Sequence, residues 1–145
     1  MSWEMLVKWL PSFMEGAWLT LQLVGVSVVA GLFLAMPLGI ARSSRHFAVR
    51  ALPYGYIFFF RGTPLLVQLF LVYYGLAQFE AVRQSALWPF LRDPYWCAII
   101  TMTMHTAAYI AEILRGAIQN VPHGEIEAAR ALGMSRSQEI GRAHV

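Results

Sequence analysis

Five polar side chains interrupt the apolar stretches of this sequence and could do chemistry there: Arg61, Gln68, His105, Glu112 and Arg115. Glu112 and Arg115 stand three residues apart, which on a helix brings them together as an ion pair; a contact in a permeation path or gate is the alternative. Arg61 lies next to Gly62, Thr63 and Pro64, where it helps fix a helix break. Its alternative is to snorkel to an interface, since a charge at membrane depth is costly unless it faces protein, water or the interface. Gln68 and His105 suit either a polar cavity or a hydrogen bond to an adjacent helix, with the bond the better expectation. Paired catalytic carboxylates, a nucleophile with its base and metal-ligand spacings are all missing from the sequence, so an enzyme is not expected. Cys97, the single cysteine, cannot form an intramolecular disulfide and reads as a small apolar side chain.

The elements that must hold these residues are membrane spans. Of 145 residues, 58% are hydrophobic and 13% charged, and the mean hydropathy is +0.53. A water-soluble domain of this size needs more polar surface. Gly16 to Ala41 gives 26 residues without a charge, enough to cross a hydrocarbon core of about 30 Å at ~1.5 Å per residue. Ala51 to Phe79 is broken only by Arg61, and Pro94 to Ala111 adds a further 18 uncharged residues. The reading is all-α, with three transmembrane helices at about 17–41, 55–79 and 94–116. Residues 1–15 form an N-terminal periplasmic or interfacial segment, in which Trp3, Leu6, Val7 and Leu10 could line one face of a short helix. They do not read as a cleaved signal.

Cation placement sets the topology. The first connection carries Arg42, Arg45 and Arg50 without an acid and is expected in the cytoplasm. Glu80, Arg83, Arg92 and Asp93 balance in the second, which is expected outside with Trp88, Tyr95 and Trp96 as an aromatic belt. The N-terminus is then periplasmic. A net charge of +3 is too small and scattered for nucleic acid. In the first span Gly31, Ala35 and Gly39 fall on one face, a small-residue stripe that lets another helix approach closely, and Pro37 is expected to bend the helix.

After the third span comes GAIQNVPHGEIEAARALGMSRSQ, residues 116–138. Pro122 should turn the chain, and a helix should start near Gly124 with Glu125 and Glu127 in its first turn, where acids suit the helix dipole. Ala128, Ala129, Ala131 and Leu132 continue it, and Gly133 is placed to take positive φ at C′. Ser135 and Gln138 read as the capping box of a second helix. A helix, a glycine bend and another helix form a knob suited to docking in a groove of a soluble partner.

Glu127-Ala128-Ala129 with Gly133 resembles the EAA loop, residues 122–138 here, of permease subunits of ATP-binding-cassette importers. The resemblance implies a coupling helix that inserts into the ATPase subunit, with the carboxylate at Glu127 as an anchor and Gly133 as the bend. Phe60 to Gln68, FRGTPLLVQ, and Thr106 to Gly116, TAAYIAEILRG, are similar to segments of the polar amino acid branch, which adds Arg61, Gly62, Thr63, Pro64, Glu112, Arg115 and Gly116 as motif residues. The VPHGE and QLFLVYYGLAQFE stretches are most similar to importers of arginine, ornithine, lysine, histidine and opines.

The implied protein is a multi-pass component of a bacterial inner membrane, the front part of a five-helix permease fold at 16–138. It would pair with a second permease chain, two ATPase subunits and a periplasmic amino-acid-binding protein, in contact with membrane lipid. The sequence has no G-x-x-x-x-G-K-[ST] phosphate loop, so the chain binds no cofactor and ATP is used by the partner. Residues 139–145, EIGRAHV, depart from the family pattern and are expected to be non-native, since one choice of codons for them spells a common sequencing adapter. The rival reading is a small three-span membrane scaffold or a non-functional permease fragment.

Overall fold

A computed structural model describes residues 3–134, and among them all regular structure is helical. The order is α1 (Trp3–Arg42), α2 (Phe47–Gly62), α3 (Leu65–Phe70), the single turns α4 (Glu80–Arg83) and α5 (Trp88–Leu91), α6 (Pro94–Gln119) and α7 (His123–Ala131). A π-helical turn, Leu71–Gly75, and a 3₁₀ turn, Leu76–Gln78, extend α3.

Helix α1 runs through Pro11 and Pro37 as one element, so the N-terminal segment continues the first span's helix. It ends where the Ser43 hydroxyl and amide both donate to the Gly39 carbonyl, at 2.9 and 3.1 Å. The basic connection is short. Only residues 43–46 lie outside helix, and Arg50 sits in the first turns of α2. Helix α6 starts sharply because Asp93 caps it: Oδ1 accepts from the amides of Tyr95 at 2.9 Å and Trp96 at 3.3 Å, and Pro94 occupies a first-turn position.

By length and composition α1 and α6 can each cross a membrane, and α2 with residues 65–78 makes a third span if the bent pair is counted as one. That pair is bent by 109°, so the apolar stretch expected over 55–79 is not one straight helix. The physical reason is local. Thr63 and Pro64 are both extended, with ψ of 142° and 140°, and a proline disfavours helical backbone in the residue before it.

The core is thin and lies where α1 and α2 meet α6. Ala35, Ile57, Phe60, Ala107, Ala108 and Ala111 are buried there, flanked by Leu38, Tyr56, Met104 and Leu114. The stripe Gly31–Ala35–Gly39 forms the α1 side of this seam. A Cβ on Gly31 would lie 3.1 Å from Thr106 and 3.2 Å from the Thr103 carbonyl, and one on Gly39 would lie 3.0 Å from the Leu114 Cβ. Only glycine permits that approach. Cross-helix bonds are few: Ser27 donates to the Ile99 carbonyl at 3.4 Å and the Tyr56 hydroxyl to the Met104 carbonyl at 2.6 Å. Phe13, Phe33, Phe58 and Ile113 face outward, a surface that suits lipid or further helices and not water.

Candidate functional site

The polar residues of α2, α3 and α6 form one connected strip. Its upper part is built around the break at Thr63–Pro64. In a continuing helix the Phe60 carbonyl would accept from the amide of residue 64, but a proline has no N–H. Gln68, buried at 2% exposure, supplies the missing donor. Its Nε2 donates to the Phe60 carbonyl at 2.8 Å, the Thr63 carbonyl at 3.0 Å and the Thr63 Oγ1 at 2.7 Å. Thr63 Oγ1 in turn donates to the Phe59 carbonyl at 2.8 Å. Three acceptors around Nε2 fix the amide's orientation, so Oε1 faces His105 Nδ1 at 3.0 Å. That carbonyl oxygen accepts, so Nδ1 donates to it. The break in one span is thereby tied to α6.

One turn further along α6, the His105 ring packs on Tyr109 with centroids 4.8 Å apart, and the Arg61 guanidinium lies 5.5 Å over the Tyr109 ring. Arg61 also reaches Glu112 at 3.9 Å, and it sits in the last turn of α2, where a cation suits the helix dipole. Glu112 Oε1 is held more closely by Arg115, at 2.8 Å from Nε and 2.6 Å from NH2. Arg115 also donates to Gln119. A cavity of about 260 Å³ opens beside this cluster, lined by Arg42, Tyr54, Ile57, Phe58, Arg61, Gly62 and Glu112. The guanidinium contacts to Glu112 all fall on Oε1, so the carboxylate's charge is already offset by Arg115 and, at longer range, by Arg61.

Below the strip, α6 ends at Asn120 and the chain turns at Pro122, which is extended and N-caps α7. Glu127 and Ala128 lie exposed on α7, Ala129 is the next residue of the same helix, and Gly116 is half-buried on α6. Leu132 ends the helix, donating its amide to the Ala128 carbonyl at 3.1 Å, and Gly133 follows with φ of 74°. That value is the left-handed region that a C′ glycine enters without strain. The Ser135–Gln138 capping box and residues 139–145 lie outside the described residues.

Residues 27–143 match the family model of the binding-protein-dependent transport system inner membrane component. The chain belongs to that family. Among relatives of this inner membrane component, the octopine transport system permease protein of Rhizobium radiobacter is 52% identical over 86% of this chain and 51% of its own length. The histidine/lysine/arginine/ornithine transport system permease protein of Salmonella typhimurium (strain LT2) is 44% identical over 83% and 52% respectively. The chain thus spans about half the length of the curated relatives it matches. A crystal structure of an amino acid ABC transporter with histidines has a chain that superposes with a TM-score of 0.79 at 31% identity, over 97% of this chain and 61% of that one. The residues that the resemblance singled out fall into separate places in the structure. Arg61, Gly62, Thr63, Pro64, Glu112 and Arg115 converge on the strip with Gly116 following on α6, whereas Glu127, Ala128 and Ala129 stand apart on α7 and Gly133 just beyond its end. The bond to an adjacent helix expected for Gln68 and for His105 is present; that they are each other's partner, and that Gln68 serves the break at Pro64, was the part that sequence reasoning missed. Its signal was a buried-type amide four residues after a proline, next to a carbonyl the proline cannot serve.

Proposed function

We propose that this chain is part of the permease subunit of an ATP-driven importer that moves basic amino acids or opines across a bacterial inner membrane. The observation that carries the reading is α7: a short helix with an exposed Glu127 and Ala128, hung from a membrane-spanning helix by a proline turn and closed by a left-handed glycine. Glu127 and Ala128 are exposed on it, and a helix presented in this way suits a groove in a partner. The partner is an ATPase subunit, which supplies the nucleotide chemistry. A second permease chain and a periplasmic binding protein complete the assembly.

The basic connection at Arg42–Arg50 supports a periplasmic N-terminus and a cytoplasmic α7. The substrate class rests on what the relatives carry. Glu112, an acid inside a span, is engaged by Arg115 and Arg61, so a cationic substrate side chain would be recognised elsewhere.

The test is Glu127→Lys in the full importer, reconstituted in proteoliposomes with its ATPase and binding protein. Expected is ATP hydrolysis that no longer drives uptake. Uptake per ATP equal to wild type would overturn the coupling role given to Glu127, and no uptake by the wild-type assembly would overturn the importer reading and favour a membrane scaffold.

A further inference from the structure

Where α1 ends and α2 begins, Arg42, Phe47, Arg50, Ala51 and Tyr54 line a recess of about 430 Å³. We propose that this recess binds the phosphate of an anionic phospholipid.

The charge is unmet. Between Glu15 and Glu80 the sequence has no acid, while Arg42, Arg45 and Arg50 fall within nine residues. Among the described residues neither Arg42 nor Arg50 makes an ion pair, and the Arg42 Nε is buried without a hydrogen-bond partner. A buried guanidinium nitrogen left in that state costs stability until an acceptor reaches it. Glu112, which Arg42 feels only at longer range, lines the neighbouring cavity and is held by Arg115 at 2.6 Å.

The two cations are also positioned. The Arg42 guanidinium stacks 4.7 Å over the Tyr54 ring and that of Arg50 lies 5.8 Å from the centre of Phe47. Resting on aromatic faces limits the rotamers of both side chains, and both residues line the recess, where an oxyanion can accept from a guanidinium group. The surroundings decide which phosphate. Phe47, which lines the recess, is 73% exposed, and the recess lies where α1, long enough to cross a membrane, ends. Inorganic phosphate would satisfy the arginines and leave that ring bare. A phospholipid satisfies both, with its headgroup in the recess and a chain along Phe47.

The experiment is native mass spectrometry of the full chain released from micelles holding equal amounts of phosphatidylglycerol and phosphatidylcholine. Wild type should retain the anionic lipid preferentially. Each of Arg42→Gln and Arg50→Gln should lower that preference by about fivefold, whereas Arg92→Gln, far along the chain, should not. Arg50 is exposed, so its variant keeps the test valid if the Arg42 variant does not fold. Equal retention of the two lipids by wild type, or a preference untouched by Arg50→Gln, overturns the proposal. Inorganic phosphate binding at this recess without lipid preference overturns the lipid assignment.

Discussion

Replacing Gln68 by leucine should destabilise the chain by about 2 kcal/mol while barely changing the volume in the core. The side chain is 2% exposed, and its amide is the partner of the Phe60 carbonyl, the Thr63 carbonyl and the His105 Nδ1–H. Leucine leaves all three without it. Hydrogen bonds between membrane helices average about 0.6 kcal/mol each, so the three together give about 2 kcal/mol. Fully dry groups would raise the loss, at ~1–3 kcal/mol for each one left unsatisfied. The assay is reversible unfolding in mixed micelles with increasing denaturing detergent, followed by circular dichroism. A second substitution separates the local geometry from general core damage. Pro64→Ala restores an N–H four residues after Phe60, so in the Gln68→Leu background it should recover the share of that one carbonyl, about 0.6 kcal/mol. In the wild-type background, where the carbonyl is already served, it should recover nothing. A loss below about 0.5 kcal/mol for Gln68→Leu, the range of an unremarkable surface change, would refute the reasoning.

Gly39→Val should separate α1 from α6, because its Cβ would meet the Leu114 Cβ at 3.0 Å and the Ala111 carbonyl at 3.1 Å. A loss of about 1–3 kcal/mol is expected in the same unfolding assay, while Gly25→Ala, with nothing within 4 Å of the added atom, should be neutral or slightly stabilising. Asp93→Ala removes the acceptor for the Tyr95 and Trp96 amides and should cost about 1 kcal/mol. Hydrogen exchange at those two amides should speed up, and unchanged exchange would mean that the cap does not hold the start of α6.

Local spacing made several of these features legible in the sequence. Glu112 and Arg115 pair because a three-residue separation on a helix leaves them little choice. Gly31, Ala35 and Gly39 announced a close helix contact, since a repeat of small residues on one face has few other uses. What the spacing did not carry is direction and partnership. Runs without charge measure how much apolar chain there is, so they registered residues 55–79 as one span; Arg61, Gly62 and Pro64 signalled a helix break there, but not that it turns the chain by 109°. They also placed the first span after Gly16, with at most a short separate helix before it, whereas α1 runs unbroken from Trp3 to Arg42. The choice of α6 as the stripe's partner, and of His105 as the partner of Gln68, depends on which helices meet, and nothing in either residue's neighbours along the chain states it.

The same contacts say which parts of this fold can yield. Helix α6 meets α1 along a seam of glycine and alanine where two backbones nearly touch, with Leu114 and Thr106 only 3.0–3.1 Å from where a Cβ on Gly39 and Gly31 would lie, so sliding α6 would drive them against the α1 backbone. Packed seams of that kind move as units. The break between α2 and α3 is different, because its carbonyls are satisfied by one side chain rather than by a helical ladder. In the function proposed here, force applied at Glu127 enters through α7 and Pro122 into α6, which carries α1 with it. Relative motion then concentrates at Thr63–Pro64, and the bond between Gln68 and His105 is the contact that such a motion must strain first.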